Sequence, residues 1–386
     1  MSKGKIKRIF IDHWDEFAKL YKHRIRKVVF KEVEKIINCG SIENGYIEYE
    51  CEACGETKKV GFRCRSRFCN SCGKVYVDDR AENMASKLVN TKHRHIVFTI
   101  PQELRKYFQK DRKLLSILPK FASKVLQSWF KERNKKENFT PGIVAVIHTF
   151  GRDLKWNPHV HMLVTEGAAG EYTIWKKFSF IPYKMLRKRW QKLLLDALEK
   201  KVGKRKIRRL KNKLYKELEE GFYVYGKGEV KNEKSAIQYV GRYTGRPAIA
   251  ESRIIDYNGE EVTYYYERHE DGKRVEKTVD ALEFIKKIII HIPEKQFKMI
   301  RYYGIYAKRA KPRKKLIKMV SDKVKEYKEK ARKWRLRIMK SFGHDPLDCP
   351  KCKTKMIMKD IYYKKYGSML ERYRQRMLAE ADRAIK

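Results

Sequence analysis

His159 and His161 stand two residues apart in WNPHVHMLV, residues 156–164, at the start of an apolar, strand-like run. Side chains at i and i+2 of a β-strand share a face. Two imidazoles on one face make half of a divalent-metal site. A second His-x-His, His93-Arg94-His95, also precedes an apolar run, so the pattern alone does not single out a site. His148 does. It closes the run IVAVIH just before the turn into HVHMLV. In an antiparallel hairpin the end of the first strand faces the start of the second, which brings His148 to His159 and His161. Three imidazoles so placed could hold Mg²⁺ or Mn²⁺ and leave positions open for water and phosphate oxygens. Nitrogen ligands lean toward Mn²⁺.

Tyr239 and Tyr243 offer a second kind of chemistry. They lie four apart in SAIQYVGRYTGR, a spacing that puts both phenols on one face of a helix. The same spacing recurs at Tyr302/Tyr306 and Tyr362/Tyr366, so it decides nothing by itself. Arg242 and Arg246 interleave with the first pair. A phenol titrates near pH ~10. A metal-polarised phosphate and nearby cations would let it attack phosphorus at neutral pH.

The cysteines suggest a structural metal. Cys51-x2-Cys54 and Cys69-x2-Cys72 have the form of zinc knuckles, two thiolates on a tight turn with a following glycine. Fourteen residues separate the pairs, a normal zinc-ribbon spacing. The reading is one Zn²⁺ on Cys51, Cys54, Cys69 and Cys72, with Cys64 as a surplus thiol able to displace one of them. Cys39 stands alone. Cys349 and Cys352, in DCPKCK, have no partner pair, and His344 five residues upstream leaves a mixed site one ligand short. Arg63, Arg65 and Arg67 project from the loop between the knuckles, as phosphate contacts or as a solvated basic loop. A zinc closed by four thiolates keeps no open position, so the chemistry is expected elsewhere.

Composition names the substrate class. Lys and Arg number 93 against 47 Asp and Glu, a net charge of +46 over 386 residues. Self-repulsion at that level destabilises a compact fold unless a polyanion offsets it, and nucleic acid is the usual one. The 24 tyrosines among these cations suit stacking of unpaired bases. No apolar run approaches the ~18 residues of a spanning helix, and MSKGKIKRIF lacks the apolar core of a secretory signal. The expectation is a soluble cytoplasmic protein with no membrane partner.

The elements that must position these residues follow from hydrophobic spacing. Residues 11–37 read as helix, ended by Cys39-Gly40. HIVFTI (95–100) reads as a strand. Residues 111–135 read as helix, kinked or split by Pro119. IVAVIHTF (143–150) and HVHMLVT (159–165) read as two strands joined by a polar turn. Basic helices are expected near 183–200 and 204–220, then a short strand at FYVYG and a short helix at 235–245. RIIDY and VTYYYE suit a hairpin about Asn258-Gly259. The last seventy or so residues read as a basic, mostly helical tail.

With the order of these motifs in view, the chain resembles the HUH endonuclease superfamily. HTFGRDLKWNPHVHMLV followed by YVGRY carries the likeness, after a cysteine-knuckle region and HIVFTIP. It is similar to the rolling-circle transposases of insertion sequences, the two-tyrosine type with an N-terminal zinc-binding domain, over roughly residues 15–310. The resemblance implies an α+β fold, an antiparallel sheet with flanking helices. It implies a helical and zinc-ribbon DNA-binding region over 1–92, a catalytic domain over 93–310 and a basic helical tail with the CPKC knuckle over 311–386. It implies that His159 and His161 ligate the catalytic metal, and that Tyr239 and Tyr243 are the nucleophiles. The third ligand varies in the superfamily, so both His148 and Gln238 are candidates.

The implied reaction cleaves and rejoins single-stranded DNA, or hairpin DNA at element ends, through a 5′-phosphotyrosine. The bond energy is kept in that link, which agrees with the lack of a P-loop motif. A prokaryotic, nucleoid-associated location goes with it. Two other readings stand beside this one: a catalytically inactive zinc-ribbon DNA-binding protein, and an HUH replication initiator or relaxase.

Overall fold

The computed structural model describes residues 4–230, 248–268, 270–308, 310 and 334–385. The chain begins with two helices, α1 (Lys5–Tyr21) and α2 (Lys27–Ile37), where the sequence predicts one run. No proline or glycine marks the break. It comes from tertiary contacts: Arg26, the N-cap of α2, donates to the carbonyls of Ile289 and Ile292. A hairpin follows, β1 (Gly45–Glu50) and β2 (Thr57–Gly61), then α3 (Asn70–Ala85).

The central region runs β3 (His93–Phe98), α4 (Gln102–Lys110), α5 (Ile117–Glu132), β4 (Thr140–Phe150), β5 (Trp156–Ala169), β6 (Lys176–Lys177), α6 (Tyr183–Val202), α7 (Lys204–Glu217) and β7 (Val224–Val230). Pro119 does not kink the helix. It falls in the first turn of α5, where a missing N–H leaves no bond unmade. Next come β8 (Ile254–Tyr257), β9 (Glu261–Glu267), β10 (Arg274–Asp280), α8 (Ala281–Ile289) and β11 (Ile300–Gly304). The hairpin about Asn258-Gly259 forms as expected, and β10 extends it to three strands. The tail, expected to be mostly helical, also contains strands. Between α9 (Trp334–Phe342) and α10 (Met369–Ile385) lie two strands, β12 (Ile357–Tyr363) and β13 (Gly367–Ser368).

The fold is α+β with antiparallel sheets. The main sheet has the order β11-β4-β5-β3-β7, with β6 added against β5. Its central strand β5 is buried almost throughout because both faces are covered. Alternation divides its residues. Val160, Met162 and Val164 join Ile96, Phe98, Ile143 and Ala145 in the largest core, under Trp129 of α5 and Trp190 of α6. Leu163 faces the other way, with Val144, and packs with Ala81 and Met84 of α3. The histidines lie on this second face. A separate core joins α1, α2, α8 and the β8–β10 sheet, and it also takes in Leu154 from the β4–β5 turn. Finally β12 pairs with β1, so a tail strand and the N-terminal hairpin share one four-stranded sheet, β13-β12-β1-β2.

Candidate functional site

His148 and His159 are direct cross-strand partners in the β4–β5 ladder, and His161 lies two residues along on the same face. The three rings meet. Their centroids are 5.4 Å apart for His148 and His159, 4.5 Å for His148 and His161, and 4.7 Å for His159 and His161. One ring nitrogen from each lies within 4.8 Å of the others.

The turn that presents them is anchored from outside the sheet. Leu154 adopts a left-handed φ of 63°, unusual for a branched side chain, and is held there by burial in the second core. Its carbonyl lies 3.0 Å from Nε2 of buried His291, whose Nδ1 lies 3.1 Å from Thr149 Oγ1. Trp156 stacks on the His291 ring, and the Arg112 guanidinium sits 4.5 Å over the indole. Phe150 stacks on His148. The turn is therefore packed into the structure on both sides of the histidines.

The hydrogen bonds fix how the imidazoles present themselves. His159 Nδ1 lies 2.7 Å from the Asn157 carbonyl, which can only accept, so Nδ1 carries the proton and Nε2 keeps a lone pair. That Nε2 faces His161 Nε2 at 2.9 Å. At this distance either a neutral His161 donates its Nε2 proton to His159, or both nitrogens present lone pairs to a cation between them. Burial opposes a second, charging proton on either ring. It lowers the pKa of His159 to about 4, and that of His161 well below the usual imidazole range, with repulsion from His148, His159 and His95 adding to the second shift. A cation at about 2.1 Å from two nitrogens at right angles sets them about 3.0 Å apart. The donor set thus fits a divalent metal bound by neutral imidazoles.

The other His-x-His divides its labour. His93 is tied to structure: Nδ1 lies 2.9 Å from the Thr91 carbonyl and Nε2 lies 2.7 Å from Tyr306 Oη. His95 reaches the site, with Nε2 2.9 Å from His161 Nδ1. Sequence pattern alone assigns His95 no role. The signal lay in the neighbouring strand, since β3 pairs with β5 and sets His95 opposite Leu163, diagonal to His161. Tyr302 and Tyr306 do not form a second nucleophile pair. Tyr306 is buried against His93, and Tyr302 packs with Val144 beneath α3.

The cysteines correct the expected ribbon. Cys51, Cys54, Cys69 and Cys72 do not come together; the two knuckles belong to different groups. Cys69 and Cys72, at the start of α3, join Cys64 and Cys39, with sulfur separations of 3.6 Å (Cys39–Cys72), 3.7 Å (Cys64–Cys72) and 3.6 Å (Cys39–Cys69). Cys39 is thus no lone thiol and Cys64 no surplus one. Cys51 and Cys54, at the tip of the β1–β2 hairpin, join Cys349 and Cys352. His344 is not part of that group. Four thiolates at about 2.3 Å from a tetrahedral Zn²⁺ stand about 3.8 Å from one another. The donor set of the first group fits that ion.

A groove of about 700 Å³ runs between α2 and the loop that carries Cys64. Lys27, Lys31, Lys35, Arg65, Arg67 and Lys295 line it, together with Phe68, Tyr76 and Phe297. Its two carboxylates are already engaged, Glu32 by Lys35 and Glu294 by Arg26. Arg63 is exposed on the same loop. Gln238, Tyr239, Arg242, Tyr243 and Arg246 lie outside the described residues. No described helix is long and apolar enough to cross a membrane.

Comparison with known proteins agrees in two independent parts of the chain. Residues 142–315 match a family profile described as "Putative transposase", and residues 9–100 match a "Transposase zinc-binding domain". The transposase of insertion sequence element IS801 from Pseudomonas savastanoi pv. phaseolicola is 31% identical over 302 residues, 74% of this chain and 72% of that protein. The "Putative transposase y4qJ" of Sinorhizobium fredii is 27% identical over 289 residues, 70% and 72% of the two chains. No solved structure matches.

Proposed function

The chain belongs to the IS91-type rolling-circle insertion-sequence transposases with an N-terminal zinc-binding domain, and from that premise we propose that it cleaves and rejoins single-stranded DNA at element ends through a 5′-phosphotyrosine. The observation that carries the reading is the meeting of His148, His159 and His161 on one face of the main sheet. His148, rather than Gln238, is the third ligand on this reading, because it is the direct cross-strand partner of His159. When bound, Mn²⁺ or Mg²⁺ supplies Lewis-acid polarisation of the scissile phosphate.

The chain's own residues do the rest. A phenol oxygen of Tyr239 or Tyr243 attacks phosphorus, the P–O3′ bond breaks, and the 3′ oxygen takes up a proton to leave as 3′-OH. The phenol proton passes to solvent. In rejoining, a 3′-OH attacks the phosphotyrosine and the phenol is released, so no nucleotide cofactor is consumed. The segment that carries both tyrosines follows Val230, which pairs with His93, and precedes Ala248, which packs in the same core as Leu154 of the β4–β5 turn. Arg242 and Arg246 accompany the tyrosines as phosphate contacts.

The basic groove beside α2 is the track for the DNA backbone, with Arg63 at its loop and Arg65 and Arg67 in its wall. The structural Zn²⁺ of the matched zinc-binding domain sits on Cys39, Cys64, Cys69 and Cys72, since that group alone lies wholly within residues 9–100. It fixes the arginine loop against α2.

The test is cleavage of a single-stranded oligonucleotide from an element end with Mn²⁺ or Mg²⁺. A covalent protein–DNA adduct is expected. It should vanish when both Tyr239 and Tyr243 become Phe; an adduct that survives sinks the assignment of the nucleophiles. His159→Ala with His161→Ala should abolish metal-dependent cleavage while the circular dichroism stays unchanged. Undiminished cleavage there refutes the metal site.

A further inference from the structure

Two short turns, almost 300 residues apart in sequence, have the same backbone. In the first, Cys51 N–H donates to the Glu56 carbonyl at 2.9 Å and Gly55 N–H donates to the Cys51 carbonyl at 2.8 Å. In the second, Cys349 N–H donates to the Thr354 carbonyl at 2.9 Å and Lys353 N–H donates to the Cys349 carbonyl at 3.1 Å. The residue after the second cysteine is left-handed in both, Gly55 at φ 72° and Lys353 at φ 63°. A lysine is sterically strained in that region, so the surrounding turn holds Lys353 there against a cost. Both turns are hairpin tips, one closing β1–β2 and the other closed by the bridge between Asp348 and Lys355.

The tips face each other. Cys51 Sγ lies 3.4 Å from Cys352 Sγ, and Cys54 Sγ lies 3.6 Å from Cys349 Sγ. These separations are far longer than the ~2.05 Å of a disulfide and close to the ~3.8 Å between sulfurs on a tetrahedral Zn²⁺. Cys51 and Cys349 are buried with Tyr49 and Met356 in a small core of their own. Around it, β12 pairs with β1, Tyr46 stacks on Tyr362, and Lys359 pairs with Glu50 at 3.0 Å.

We propose that Cys51, Cys54, Cys349 and Cys352 form a second structural Zn²⁺ site, which staples the C-terminal segment to the N-terminal hairpin. Half of its ligands lie outside residues 9–100, so it is distinct from the zinc of the matched domain. Its four thiolates close the coordination sphere and leave no position for chemistry. Its role is mechanical. The C-terminal segment it secures includes α9, which lies along α3 through Lys340 with Glu82 (2.9 Å) and Ser341 with Asp78 (2.8 Å). Helix α3 in turn covers part of the histidine-bearing face of the main sheet. The site therefore ties the tail to the layer that roofs the catalytic sheet. It rests on sulfur and backbone geometry and stands whether or not the nuclease reading does.

The experiment is metal replacement in the full-length chain. Cobalt(II) bound to thiolate gives a sulfur-to-metal charge-transfer band that scales with the number of Co–S bonds, and imidazole ligands contribute nothing to it. The unaltered chain should show the intensity of eight Co–S bonds, four from each cysteine group. An intensity of four, or the second group recovered as disulfides, overturns the proposal. Native mass spectrometry of Cys349→Ser/Cys352→Ser should show one zinc fewer than the unaltered chain. Cys51→Ser/Cys54→Ser should lose the same zinc, and combining all four substitutions should lose no more. Trypsin should then release the C-terminal segment from either double variant sooner than from the unaltered chain. A double variant that keeps its full zinc content refutes the site.

Discussion

His95 stands behind His161: its Nε2 lies 2.9 Å from His161 Nδ1, while His161 Nε2 meets His159 at 2.9 Å. If His161 donates through Nδ1, its Nε2 keeps the lone pair a metal needs. His95 is then a positioning residue that holds the tautomer. His95→Ala should raise the Mn²⁺ concentration for half-maximal cleavage by about 10–100-fold, with much of the rate regained at saturating metal. His95→Gln, whose amide oxygen still accepts, should recover part of the affinity. An unchanged metal midpoint in His95→Ala would end this account.

Acid should weaken the fold before carboxylates titrate. Burial lowers the pKa of His93 and of His291 to about 4, against 6.5 for the free side chain. Below pH ~6.5 the unfolded chain binds protons that the folded chain refuses, so stability falls with pH. The contribution is full above that point and is lost progressively down to about pH 4. Each histidine contributes roughly 3 kcal/mol over the window. Urea midpoints measured from pH 7 to 4 should fall, and His291→Gln should flatten part of the slope. A midpoint constant between pH 7 and 5 contradicts the assignment.

The Arg94–Glu166 pair should break asymmetrically. Its carboxylate is 2% exposed and its guanidinium 20% exposed, at 2.6 Å. Arg94→Ala strands a buried anion and should cost about 3–5 kcal/mol. Glu166→Ala leaves a cation with access to water and should cost less. Thermal unfolding of the two variants gives the order, and equal losses would mean that the burial difference does not matter.

DNA binding should lose salt dependence at the groove. Lys31 and Arg65 both line it. Each phosphate contact removed should lower the slope of log affinity against log salt by about 0.7 for a single strand. Replacing both with Ala should weaken oligonucleotides of any sequence alike, since these residues would touch backbone only. A change confined to one sequence would assign them to base readout instead.

The histidine site was legible because it is local. His148 and His159 sit either side of one short turn, and hairpin register follows from sequence order. His95 was not, because its strand joins β5 only through a pairing between distant segments. The cysteines failed for the same reason at larger scale. Cys51 and Cys54 look like partners of Cys69 and Cys72 because they are near in sequence, but their hairpin projects toward Cys349 and Cys352 instead. The strand β12 was hidden because its burial pattern shows no clean alternation and it owes its form to pairing with the distant β1. Likewise the break between α1 and α2 rests on Arg26 reaching the end of α8 and the segment just after it, which no local signal records.

The distance along the chain between the two facing hairpin tips also sets an order in time. Cys54 is synthesised 295 residues before Cys349, a wait of roughly 15–60 s at about 5–20 residues per second. Through that interval the first tip holds only two of the four cysteines of its group. A chain that terminates early never closes it, and its β1 strand is left without β12. On the zinc reading proposed above, this fastening can form only after the chain has been made through Cys352.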